Sequence, residues 1–331
     1  MHSEVEQAHV SRQYLAAWNN TLDTIFESSD RKLFVIEVVH GMCNRIRAYA
    51  SAALLAKKSA RRLVLVWKPD IHVNARFFDL FDSSFANAVV VEGDGFRAHL
   101  ESSGQSTDHY DYMNSNEKGV LIVTQSAKHI YVRSSFELSS DAQYSEAELR
   151  NVYTEISQHI SRPVKEHLTA LMGRKKRATR MIGAHVRMLG DLKSDIPGIE
   201  KLPESSVNGL ELMYEAEVYR HQCHVQHFVP QIQKELERFP RTTIFIASDS
   251  QEAIEILKNA FEPSNNVIHT EISKLLRCRG RDRRGPFCSQ LALSEFLFLT
   301  TSDMLFTSRW SSTTDLLLRL HNGTHSCGCA E

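Results

Sequence analysis

No apolar run in the 331-residue sequence approaches the roughly 18 residues of a membrane-spanning helix. The first residues, Met1-His2-Ser3-Glu4, are polar and acidic rather than signal-peptide-like. The chain therefore reads as soluble and leaves its compartment open: cytoplasmic, or a luminal domain lacking its targeting segment. An excess of one charge is missing too, with 39 Lys and Arg against 40 Asp and Glu. A net charge of -1 argues against a general nucleic-acid binder. No two of the six cysteines form a C-x-x-C pair, so zinc ligation of the usual spacing is not expected. Their even number, and the Asn-x-Thr sequons at Asn19 and Asn322, would matter only in a secretory lumen. Glycine is scarce where a dinucleotide loop needs it. Gly41 stands between a strand and a helix without the two further glycines of G-x-G-x-x-G, which disfavours a nicotinamide-linked oxidoreductase.

What is present is a repeated alternation of strands and helices. Leu33 to Val39 and Arg62 to Trp67 are apolar or β-branched runs flanking a helical pattern from Asn44 to Lys58, which predicts a parallel strand-helix-strand unit. Short strands are expected at 88–91, 119–123 and 129–132, an exposed polar loop at 102–116, and one long helix at 145–172. The second half repeats the pattern. A strand at 181–187 leads to a long loop at 191–210 and a helix at 211–239, followed by a strand at 243–247. Then come a helix at 252–261, a strand at 266–269, a basic loop at 277–284, a helix at 290–301, a strand at 304–306 and a helix at 313–320. The expected architecture is α/β, with two Rossmann-like domains at 1–172 and 173–331.

The chemical centre is placed at Ile182-Gly183-Ala184-His185-Val186-Arg187, where a buried strand delivers a guanidinium at its carboxyl end. Open α/β sheets bind ligands there, and the planar donor fork of Arg suits a phosphate. An ordinary surface Arg is the competing reading. The loop after Gly41 brings Asn44 and Arg45 to a helix amino terminus, where backbone donors favour an anion. Thr307-Ser308-Arg309-Trp310-Ser311-Ser312 precedes another helix, so its hydroxyls serve either phosphate oxygens or an N-cap. The Arg-rich segment 277–284 either screens a charged ligand or is simply solvated. His221, His224 and His227 lie near Cys223, but the histidines drift round a helix and no carboxylate follows at ligand spacing.

Side by side, four segments resemble the fucosyltransferase superfamily that includes protein O-fucosyltransferases, α1,6-fucosyltransferases and nodulation fucosyltransferases. They are Gly41 to Arg47, Ile182 to Arg187, Phe245 to Ser250, and Glu295 to Ser312, in the family's order. The resemblance implies a GT-B fold, two Rossmann-like domains facing each other across a cleft. It also implies GDP-fucose as donor, held mainly by the carboxyl-terminal domain, and no metal cofactor. By position Arg187 matches the family's β-phosphate Arg and His185 a nucleotide contact. Asp249 matches an acidic site-lining position, Ser311 and Ser312 phosphate-binding serines, and Glu295 a carboxylate that reads guanine. Three departures stand out. Asp191 falls one residue late because Gly190 intervenes, Arg309-Trp310 replaces smaller residues, and His40 occupies the place of a Glu proposed as base in some members. An imidazole of ordinary pKa about 6.5 is suited to accept an acceptor proton.

The expected activity is inverting, metal-independent transfer of fucose to a hydroxyl of a protein or an oligosaccharide. Arg187 is its central residue, His40 or Asp191 the base, and Gly41, Asn44, Arg45, His185, Asp249, Glu295, Ser311 and Ser312 donor contacts. The alternatives are a non-catalytic relative that binds nucleotide sugar or glycan, and a transferase with another donor.

Overall fold

The computed structural model describes residues 32–82, 85, 88–93, 95–126, 128–175, 180–187, 223–262, 265–271, 274, 277–278, 284–309 and 311–329. The loop at 191–210, Asp191 included, and residues 211–222 of the expected helix lie outside them.

Two parallel five-stranded sheets carry the chain. The first has the order β3-β2-β1-β5-β4, from β1 (Leu33–Val38), β2 (Arg62–Trp67), β3 (Val89–Glu92), β4 (Thr107–Asp111) and β5 (His129–Ser134). The second has the order β10-β9-β6-β7-β8, from β6 (Arg180–Val186), β7 (Thr242–Ser248), β8 (Asn266–His269), β9 (Met304–Thr307) and β10 (Thr324–Cys327). In both, the first strand in sequence is central and the order reverses beside it. That puts a topological switch between β1 and β5 and another between β6 and β9, where open sheets leave a crevice for ligand.

Helices cover the faces: α1 (Met42–Lys58), α2 (Phe77–Leu80), α3 (Phe96–Ser102), α4 (Glu146–Gln158), α5 (Arg162–Arg174), α6 (Val225–Arg238), α7 (Gln251–Phe261), α8 (Pro286–Leu299) and α9 (Ser312–Leu320). Strand periodicity divides the cores. Phe34, Ile36 and Val38 of β1 face α1 and α4, while Leu33 and Val35 face Phe96 and Leu100 of α3. Ile182, Ala184 and Val186 of β6 join Ile244 and Ile246 of β7 against α6 and α7. Phe245 and Ala247 look the other way, into the same apolar cluster as Phe34 and Ile36.

That cluster is continuous between the two sheets, with Leu293, Phe296 and Phe298 of α8 and Leu316 and Leu317 of α9 packed among residues of the first half. Helix α8 lies on α5 and α2, and α9 on α1 and α4. Polar ties reinforce the junction: Arg174 Nη1 donates to the His269 carbonyl at 2.6 Å, and Gln290 Nε2 to the Asp79 carbonyl at 2.9 Å.

The structure corrects the sequence reading in four places. The expected loop at 102–116 contains β4, an edge strand paired only with β5 whose polar sequence TDHYD carries no apolar alternation. Residues 119–123 make no strand, only a bridge from Ile122 to Ser140. The helix expected at 145–172 is two. It breaks where Ile160 pairs with Phe81, and α5 restarts with Pro163 in its first turn, a position that needs no backbone N–H. Strand β10, at the sheet edge, was not anticipated.

Candidate active site

Both switch crevices are closed by a helix amino terminus. Helix α1 follows β1 after only three residues, with Gly41 as N-cap in an extended conformation, and α9 follows β9 with Ser311 as N-cap. Gly41 has no side chain to cap its helix and that of Ser311 does not cap its own, so the first-turn N–H groups of both helices are left as donors for another partner.

The two first turns meet. Arg47 Nη1 lies 3.5 Å from Asp315 Oδ2. The Cys43 thiol, one turn earlier in α1, is hydrogen-bonded by the Thr313 side chain and feels the charge of Arg187. Burial outweighs both and pushes the thiol up to about 11, so Cys43 is a neutral wall. Two positive helix ends and a guanidinium therefore converge on one place, the pattern of an anion site.

Arg187 is held from two directions. Its backbone N–H donates to Ser308 Oγ at 2.9 Å, and Nε pairs with Asp249 Oδ2 at 3.2 Å. Ser308 is fully buried, and its own N–H donates to the His185 carbonyl at 3.0 Å. Asp249 sits just past β7, next to β6, so sequence places the carboxylate beside the guanidinium.

His185 braces this loop from beneath. Its Nδ1 lies 3.2 Å from Thr314 Oγ1, whose proton goes to the Ser308 carbonyl at 2.7 Å. The hydroxyl is thus an acceptor toward the imidazole, which fixes the proton on Nδ1. Burial, with the Arg187 charge beside it, pushes His185 down to about 3, so the ring stays neutral.

Glu295, on α8, receives a hydrogen bond from the Thr270 hydroxyl just beyond β8. Burial raises its carboxyl to about 7 despite that bond. Strand β8 lies two strands from β6, about 10 Å at the usual spacing. Glu295 and Arg187 therefore mark two ends of one sheet edge.

On the other crevice, His40 takes a left-handed conformation at φ 66°, uncommon for a residue with a Cβ. Arg45 is fully buried and its guanidinium is engaged within the amino-terminal half. Nε donates to the His40 carbonyl at 2.7 Å, Nη1 to the Lys68 carbonyl at 2.7 Å, and Nη2 pairs with Asp70 at 2.7 Å. Asn44 Oδ1 is buried in the first turn of α1, without a hydrogen-bond partner among the described residues.

Gly41, Asn44, Arg187, Asp249, Ser311 and Ser312 thus belong to elements that meet at the two helix ends. Asp191 lies outside the described residues. The sequence reading named Ser308 only within the hydroxyl segment, not as a partner of Arg187, and it missed Thr313 and Thr314 as site residues, although both follow the Ser311-Ser312 pair. It also missed Asp70 and His72, which no motif flags. Of the His221 to His227 cluster, His221 lies outside the described residues, Cys223 is disulfide-bonded to Cys329, and the His224 side chain caps α6.

No protein-family model matches the sequence, and no curated protein matches it. Solved structures do. A NodZ α-1,6-fucosyltransferase soaked with GDP-fucose aligns with a TM-score of 0.55 at 16% identity, over 88% of this chain and 93% of that one. Arabidopsis thaliana FUT1, a variant in complex with GDP, aligns at 0.55 with 13% identity, over 94% of this chain and 74% of that one. POFUT1 in complex with GDP-fucose aligns at 0.52 with 10% identity, over 91% and 99%. With two parallel five-stranded sheets, and alignments that span most of this chain, the chain has a GT-B fold of the type seen in these fucosyltransferases.

Proposed function

We propose that the chain is an inverting glycosyltransferase that moves fucose from GDP-fucose to a hydroxyl of a protein or glycan acceptor, without a metal. The observation that carries this is the meeting of the α1 and α9 amino termini at Arg187. The NodZ and POFUT1 structures were obtained with GDP-fucose, which supports the choice of donor.

As the bond from the sugar C1 to the β-phosphate oxygen breaks, negative charge grows on the phosphate. Arg187, the first-turn N–H groups of α9 and the hydroxyls of Ser311 and Ser312 are preorganised donors for that charge. This is the task a divalent cation performs in other transferases. Asn44, whose buried carbonyl oxygen has no hydrogen-bond partner among the described residues, offers its amide to the donor from the α1 side.

Guanine falls to Glu295, whose carboxylate accepts from N1–H and the exocyclic amine. The separation from β6 to β8, about 10 Å, suits a nucleoside diphosphate laid along the sheet edge. In this reading residues 173–331 hold the donor and 1–172 face the acceptor. His40 or Asp191 takes the acceptor proton.

Calorimetric titration with GDP, UDP and ADP tests the donor. Tight binding of GDP alone is expected, and equal affinity for all three defeats the assignment. GDP release from GDP-fucose then separates an enzyme from a non-catalytic binder.

A further inference from the structure

The β2–α2 turn holds a second imidazole against the first. The rings of His40 and His72 lie 5.0 Å apart, tilted by 47°. Nothing in the sequence spacing brings them together, and one half-buried ion pair does.

Arg45 and Asp70 form that clamp. Arg45 Nε holds the His40 carbonyl, which fixes the left-handed turn before α1. Its guanidinium stacks over Trp67 at 4.7 Å and pairs with Asp70 Oδ2. The other Asp70 oxygen, Oδ1, accepts the backbone N–H of His72 at 2.7 Å and of Val73 at 2.9 Å. One guanidinium and one carboxylate thus set both histidine backbones. A buried cation and a left-handed histidine are each costly, and they persist where the surroundings impose them. The same turn meets the second half: Asn74 donates to the Arg284 carbonyl at 2.7 Å, and Arg284 Nη1 to the His72 carbonyl at 3.3 Å. His72 therefore stands at the domain junction, against His40, which immediately precedes Gly41.

We propose that His40 and His72 form the acceptor-hydroxyl subsite, with Arg45 and Asp70 as its positioning residues. The inference rests on the transferase reading above. A hydroxyl held between two neutral imidazoles donates to a ring nitrogen of His40 and accepts from a ring N–H of His72. In the step itself the acceptor O–H bond breaks as the O–C1 bond forms. The proton passes to His40, and the electron pair of the C1–O bond leaves with GDP. His40 later returns its proton to solvent.

The charges around the pair keep it base-competent. Burial lowers His40 most, followed by His72, with Arg133 and Arg45 acting the same way and Asp70 opposing. Burial also lowers His72, against Asp70, with Arg284 and Arg45 assisting. Protonating one ring makes the second protonation harder, and both rings are held below the ordinary imidazole value, so the pair stays unprotonated at neutral pH.

The test uses the whole chain with GDP-fucose and water as acceptor, following GDP release. His40→Gln is expected to lower kcat by about 10²–10⁴-fold and abolish the acidic limb of the kcat profile at saturating GDP-fucose. His72→Gln is expected to lower kcat/KM by about tenfold or more and move that limb to higher pH, with GDP affinity kept within about twofold. Imidazole NMR of the same His72→Gln protein reports independently of turnover, and the His40 titration should rise. His72→Asn serves if the Gln variant fails to fold. Turnover and a His40 titration both unchanged in the His72 variants overturn the subsite. A wild type that binds no GDP and releases none overturns the donor reading itself, whatever the histidines do.

Discussion

Arg187 Nε rests 3.2 Å from Asp249 Oδ2, so the guanidinium at the end of β6 is aimed by a carboxylate from the neighbouring strand end. About a third of the Arg187 side chain stays exposed, and the pair contributes little to stability. Its weight lies in the reaction. Arg187→Ala should reduce kcat by about 10²–10³-fold, the cost of removing one preorganised donor to a developing oxyanion. Thermal unfolding should stay close to wild type. Arg187→Lys should recover little, because an ammonium lacks the planar fork. A near wild-type rate in the alanine variant would sink the assignment.

Beneath that Arg, Thr314→Val separates support from chemistry. The hydroxyl accepts from His185 and donates to the Ser308 carbonyl, both buried. Valine keeps the shape and strands both groups, at a cost of about 1–3 kcal/mol. Denaturant unfolding should show that loss. GDP binding should weaken as well, since Ser308 positions the Arg187 backbone.

These two cases show why part of the site was legible and part was not. Arg187 could be read because β6, buried on both faces, leaves an apolar run that ends abruptly in charge. Ser311 and Ser312 could be read because a hydroxyl cluster before a helical pattern marks an N-terminus. Ser308 meets Arg187 across 121 residues, and Asp70 meets Arg45 through a fold contact no local pattern records. The fold divides the same way. Central strands announce themselves by apolar runs, whereas β4 and β10, polar and at sheet edges, are defined only by the partner they pair with.

The disulfide Cys223–Cys329 gives a stability prediction. It closes 106 residues, and both sulfurs accept the Arg309 N–H, at 3.3 and 3.4 Å. The double substitution Cys223→Ser with Cys329→Ser should cost about 2–5 kcal/mol, chiefly through the freer unfolded chain. Because Arg309 leads into the α9 amino terminus, the same variant should bind GDP more weakly. The pair Cys278–Cys288 closes only 10 residues, so its removal should cost less. Urea titration of each variant, in oxidising buffer, decides the order.

Glu295 supplies the pH test. Its carboxyl titrates at about 7 in the fold, raised by burial from an ordinary value near 4.5, and the Thr270 bond only partly offsets this. A carboxyl raised on folding binds more protons in the native state than in the unfolded one between those two values. Stability therefore falls as pH climbs from about 4.5 through about 7, and the loss is complete above it. Glu295→Gln should remove that loss. At pH 8 its melting midpoint should exceed the wild type by several degrees, because a rise from 4.5 to about 7 is worth about 3 kcal/mol and each 1 kcal/mol moves the midpoint by about 2–4 °C in a domain of this size. At pH 5 the two should agree. Nucleotide binding should respond in the opposite sense, because guanine donors need the ionised carboxylate. Wild-type GDP affinity should rise with pH through about 7, accompanied by proton release, while Glu295→Gln should bind GDP weakly at every pH and lose its preference over ADP. Calorimetry in two buffers of different ionisation enthalpy measures the released proton. A GDP affinity that is flat with pH in the wild type, and unchanged in the variant, would remove Glu295 from the nucleotide site and leave it a buried acid of the core.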